Sequence, residues 1–169
     1  REWLFGAFAG RSYVPLVDTH SGREMGGDYR IVVPIANPRT ESAIVDLACR
    51  IASRHENATV HVVHVVQVPG RRKVPATRET RDRIVAASED LLADVRTQID
   101  RYDVAGETST VVSHRSFEEI FDVARRKDAD LTLISWGEDR LWNAVRTERP
   151  LTEMTHRLPS DFLVIGEGD

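Results

Sequence analysis

The sequence predicts a three-layer α/β domain: an open parallel five-stranded sheet with helices on both faces. Two observations carry this. From Tyr29 onward, short apolar runs alternate with amphipathic helical stretches, and such alternation marks parallel strands joined by right-handed crossovers. The second observation is length. A chain of 169 residues can bury one core but not two, since domains cluster at about 100–150 residues. One domain over residues 29–169 is therefore expected, with residues 1–28 as a linker or docking arm.

The first strand is Ile31-Val32-Val33-Pro34-Ile35, a continuous apolar run of the kind that is buried on both faces. Asn37-Pro38-Arg39-Thr40 punctuates the chain, and Ile44, Val45, Leu47, Ala48, Ile51 and Ala52 then recur at helical spacing. Valine-rich Ala58 to Val68 is the second strand, closed by Pro69-Gly70. The basic, proline-containing stretch to Thr77 reads as the longest internal loop.

A long helix from about Arg78 to Tyr102 follows, its apolar stripe made by Ile84, Ala87, Leu91, Leu92, Val95 and Ile99, with Ser88 beside it. Thr108 to Ser113 is the third strand. Ser116 and Glu119 have capping-box spacing and open a helix that buries Phe117, Ile120, Phe121 and Ala124. Asp130 to Ser135 is the fourth strand, and Trp136 to Arg149 has no clear period. A last helix near Pro150 to Arg157 and a fifth strand, Phe162 to Ile165, complete the pattern.

Composition excludes some functions. The net charge of −4 and pI near 5.9 provide no general attraction for a phosphate backbone, so nucleic acid is not an expected partner. The single Cys49 cannot form an internal disulfide and fits a reducing, cytoplasmic setting. No apolar run approaches the roughly 20 residues of a membrane-spanning helix. The chain begins at Arg1, which suggests a segment of a longer polypeptide.

Four stretches, taken in order, resemble the universal stress protein family: Tyr29 to Ile35, Val63-His64-Val65-Val66, Ala129 to Ile134, and Leu158 to Ile165. The resemblance implies strand order 3-2-1-4-5, an adenine nucleotide alpha hydrolase-like sheet. In a sheet of that order a ligand sits beyond the carboxyl ends of strands one and four, where the winding direction reverses. That places Ala36, Asn37, Val65, Ser135 and Gly137 beside any nucleotide pocket, with Arg149 as an anion contact.

The family's phosphate signature is eroded here. Gly137 alone stands near the expected glycines, whose role is to let backbone amides approach a phosphate. Glu148 and Arg149 occupy the positions expected to offer a glycine and a hydroxyl, and Ala36 replaces the usual aspartate at the end of strand one. The resemblance thus implies a degenerate site and no resident cofactor, with ATP or AMP binding as the alternative. It also implies a homodimer, through antiparallel pairing of Leu163, Val164 and Ile165 at the sheet edge.

Other residues invite chemistry and have plainer readings. His61 and His64 are three apart on a strand, point to opposite faces, and cannot chelate one metal together. His114 reads as a loop histidine and the Arg71-Arg72-Lys73 cluster as a solvated loop, Trp142 fits either a ligand or interface contact or the packing of its own loop, and Trp3, Phe5 and Phe8 fit burial against this domain, a partner subunit or a membrane interface alike. With no nucleophile and base visibly paired, no catalytic role is assigned. The expected function is a non-enzymatic regulatory or interaction domain. The Ala36-Asn37-Pro38-Arg39-Thr40 turn resembles that of stress-protein domains attached to amino-acid permeases, which implies the cytoplasmic part of a membrane transporter. The alternative is a free-standing nucleotide-binding stress protein.

Overall fold

Ile31, Val32, Val33 and Ile35 are all wholly removed from solvent, as a strand covered on both faces requires. In the computed structural model, which describes residues 13–21, 29–67, 78–113, 116–136 and 160–166, these residues lie in β2 (Tyr29–Ile35). Around it run β1 (Tyr13–Ser21), α1 (Ser42–Ala52), β3 (Ala58–Gln67), α2 (Arg78–Asp100), β4 (Ala105–Ser113), α3 (Ser116–Arg126), β5 (Leu131–Trp136) and β6 (Asp161–Gly166).

The strands form one sheet in the order β1-β4-β3-β2-β5-β6. From β2 onward every pairing is parallel, and these five strands have the expected order 3-2-1-4-5. Alternate side chains define two cores, as a period of two demands. Ile31, Val33, Ile35, Val60, Val62 and Leu133 pack beneath α1 and α2, where Ile44, Val45, Ala48, Leu92, Val95 and Ile99 close the layer. Val32, Val63, Val65, Val111 and Ile134 face the opposite way, onto Ile120, Val123 and Ala124 of α3. Phe121 of α3 stacks on Phe162 of β6 at 5.3 Å. The helices change face after β4, so the winding reverses between β2 and β5.

The sequence reading assigns no element before Tyr29. The structure places β1 there, antiparallel to β4 from Tyr13↔Ser113 to Ser21↔Gly106, with a register shift between Pro15 and Val17. Proline lacks an N–H and is confined to edges and bulges, which hides such a strand from a search for regular alternation. The sheet therefore has six strands, and the carboxyl half of the linker or docking arm carries the sixth.

A second difference concerns α2. Ser88 lies in the buried stripe, not beside it, whereas Ala87 is exposed and Ile84 and Leu91 are half-buried. Ser88 is held inward by hydrogen bonds, as shown below. Cys49 is buried against the sheet, and burial, with Asp46 nearby, pushes its thiol up to about 12. At neutral pH the nucleophilic thiolate is absent. The expected last helix near Pro150 to Arg157 lies outside the described residues. Among those described, no helix is long and apolar enough to cross a membrane.

Candidate functional site

The sheet reverses between β2 and β5, and there the two strands pair only over Ile31↔Leu131 and Val32↔Thr132. Pro34, which has no N–H to give, follows two residues later. Toward their carboxyl ends the gap is bridged by a side chain from a neighbouring turn. Glu41 is wholly buried. Its Oε2 accepts the backbone N–H of Ala36 at 2.7 Å and that of Asn37 at 2.8 Å. Its Oε1 accepts the hydroxyl of Ser135 at the end of β5.

The turn that delivers Glu41 is built by Asn37. The Asn37 Oδ1 accepts the N–H of Arg39 at 3.1 Å, and its carbonyl accepts the N–H groups of Thr40 at 3.2 Å and Glu41 at 3.1 Å. Asparagine side chains commonly close turns by bonding the backbone two residues on. Glu41 stands at the N-cap of α1 but makes no side-chain cap bond to that helix. Its oxygens go to the strand ends instead, and a buried carboxylate is tolerable only when so satisfied.

A second polar chain runs along the same end of the sheet. His64 Nδ1 is 2.7 Å from Ser88 Oγ of α2, Ser88 also bonds Thr110 of β4, and His64 bonds the backbone of Ala36. Four secondary-structure elements, α2, β4, β3 and β5, and the turn that follows β2 are thereby linked through Thr110, Ser88, His64, Ala36, Glu41 and Ser135. Burial pushes the His64 pKa below its ordinary 6.5, while its bond to the Ala36 backbone pulls the other way.

The sign of the pH effect follows. Below 6.5 an unfolded chain takes up a proton that buried His64 refuses until lower pH, so the unfolded state binds more protons and stability falls with falling pH. His64's contribution is fully present above 6.5 and is lost as pH drops through the window beneath it. Urea midpoints measured from pH 8 to pH 5, about the range in which histidine titrates, should fall more steeply in the wild type than in His64→Gln. Equal slopes would refute the assignment.

His61 faces the opposite side of the sheet from His64, as expected. Its Nε2 lies 2.8 Å from Ser109 Oγ, its Nδ1 is 3.7 Å from Glu107 Oε2, and Lys127 Nζ is 3.5 Å from the same oxygen. Serine, histidine and carboxylate stand in the sequence of a nucleophilic triad, but the histidine-to-carboxylate distance exceeds a hydrogen bond. Ser109 and His61 are also buried. The cluster is a polar network of the core. Among the described residues, no group of three or more His, Cys, Asp or Glu is arranged to hold a metal ion.

The structure thus brings Ala36, Asn37 and Ser135 around one carboxylate. Val65 stands on β3, packed in the core on the α3 side, with Ala36 against the same cluster. Gly137, Glu148 and Arg149 lie outside the described residues, as do His114, Trp142, Arg71, Arg72, Lys73, Trp3, Phe5 and Phe8. Leu163 and Val164 are exposed by 43% and 39%, whereas Ile165 is half-buried against the α1–α2 core. The sequence gives no sign of a role for Glu41 or Thr110 and marks Ser88 only as a small residue beside the stripe. An acid just before a helix reads as a partner of the helix dipole, and only the position of Ser135 shows where its carboxylate goes.

Comparison with known proteins agrees with this architecture. No curated protein matches the sequence. A universal stress protein from Lactobacillus plantarum is 18% identical, with a TM-score of 0.59 over 83% of this chain and 99% of that one. An Arabidopsis thaliana family protein with AMP bound is 13% identical, with a TM-score of 0.55 over 83% and 92%. A universal stress protein in complex with cAMP is 15% identical, with a TM-score of 0.57 over 83% and 98%. At such identities the likeness shows the fold. The sequence pattern of the universal stress protein family matches residues 29–152, most of the chain, and the chain belongs to that family.

Proposed function

We propose that this domain is a non-enzymatic regulatory or interaction module whose nucleotide crevice is degenerate and filled from within. The observation that carries the reading is Glu41: a carboxylate takes the strand-end amides of Ala36 and Asn37 and the Ser135 hydroxyl at the reversal of the sheet. A negative group there opposes a nucleotide phosphate by charge and by space. Ala36 and Glu148, at positions where the family resemblance leads one to expect an aspartate and a glycine, point the same way.

The likeness of the Ala36 to Thr40 turn to that of permease-attached domains supports a place at the cytoplasmic face of an amino-acid transporter. The exposed Leu163 and Val164 on β6 support pairing with a second copy, because an apolar edge strand offers its backbone to another chain. Light scattering should then show a dimer that Val164→Pro converts to a monomer. A wild type that stays monomeric at high concentration would remove this part of the reading.

A nucleotide-binding stress protein is the second reading, favoured by the AMP and cAMP named with two of the similar structures. Equilibrium dialysis of the wild-type chain with ATP, AMP and cAMP decides between them. No saturable binding in the micromolar range is expected. Micromolar binding of any of the three would replace the first reading by the second.

A further inference from the structure

Three donors from two parts of the chain meet at the Glu41 carboxylate. Two successive backbone N–H groups, those of Ala36 and Asn37, converge on one oxygen at 2.7 and 2.8 Å, and the Ser135 hydroxyl points at the other. Convergent successive amides make an anion-binding concavity. The amides follow directly on β2 and the hydroxyl belongs to the end of β5, so the cradle lies where the two strands finish.

We propose that Ala36, Asn37 and Ser135 form an oxyanion cradle and that Glu41 is its built-in occupant, an intramolecular competitor that decides whether the site accepts an external carboxylate or phosphate. The inference deepens the reading above and rests on its view of the crevice as self-occupied. The chemistry of the occupant is general: two oxygens on one atom, carrying negative charge. A carboxylate does this, and so does a phosphate.

Tethering explains why the wild type keeps its own ligand. The Asn37 turn holds Glu41 in place through its carbonyl and its side chain. A short tether presents its ligand at an effective concentration of about millimolar or above. An external anion below that level loses the competition. Removing the Glu41 side chain beyond Cβ leaves the amides and hydroxyl in position, with a space of the right chemistry for a small acid.

Rescue by added anions tests this. Glu41→Ala is heated with acetate, with inorganic phosphate, with AMP, and with chloride at equal ionic strength. Wild type and Glu41→Gln, which retains an acceptor in the cradle, are treated alike. Acetate or phosphate at about a hundredfold excess over Kd should raise the Tm of Glu41→Ala by about 5–10 °C, saturably, while chloride does not and neither control responds. A gain with AMP equal to that with phosphate identifies the oxyanion alone as the ligand; a larger gain identifies a nucleotide. No gain in Glu41→Ala, or the same gain in the wild type, overturns the proposal.

If Glu41→Ala is recovered unfolded, the yield of folded protein on dilution from urea is compared in acetate and chloride. A higher yield in acetate supports the cradle, and equal yields overturn it. The outcome is separable from the functional reading. Nucleotide binding by the wild type, with Glu41 in place, would end that reading, whereas absence of rescue in the variant ends only this one.

Discussion

Replacing Glu41 by leucine should destabilise the domain by about 2–4 kcal/mol, although leucine fills nearly the same space. The two amides that Oε2 now accepts would face a hydrocarbon, and each buried unsatisfied polar group costs about 1–3 kcal/mol. Relief from burying a carboxylate offsets part of this, and the Ser135 hydroxyl can rotate to another acceptor. Ser135→Ala, which removes one of the three donors, should cost about 1 kcal/mol. Urea denaturation with an unchanged m-value measures both. A Glu41→Leu variant within about 0.5 kcal/mol of wild type, the range of ordinary surface substitutions, would show that the carboxylate does not hold the strand ends. Leucine also fills the cradle, so acetate should not restore this variant, in contrast to Glu41→Ala.

Gly106→Ala should cost about 1–3 kcal/mol by overpacking. A Cβ at Gly106 would lie 2.6 Å from Cγ2 of Ile99 on α2, closer than any ordinary contact, and both residues are buried where α2 lies on β4. Ile99→Ala alone should cost about 2–5 kcal/mol through the cavity it leaves. The two together should cost less than their sum by about 1 kcal/mol, because the added methyl enters space vacated by Ile99, and residues in contact couple by that order. Strict additivity in urea titrations of the four proteins would mean that the helix shifts away instead.

Most of the architecture is legible in the sequence. Ile31 to Ile35, Ala58 to Val68 and Asp130 to Ser135 announce buried strands by composition. The helix faces of α1 and α3 follow from spacing, and the family resemblance supplied the strand order. These features are local or repeated every two to four residues. Tyr13 to Ser21 was not legible, because Pro15 breaks the alternation and the strand's existence depends on its pairing with β4.

The candidate site divides the same way. Ala36, Asn37 and Ser135 could be placed at the sheet reversal from the resemblance and the rule for open sheets, and His61 and His64 could be sent to opposite faces from their spacing. Glu41 could not be found like this. Its partners at Ala36 and Asn37 are near in sequence, but Ser135 is 94 residues away, and no periodicity records such a contact. Ser88 likewise reads as a polar residue beside an apolar stripe until His64 and Thr110 are brought against it. Periodic burial is written into neighbouring residues and so determines which segments are strands and helices. A polar side chain's partner depends on which distant segments the packed sheet sets side by side, and only the tertiary structure decides that.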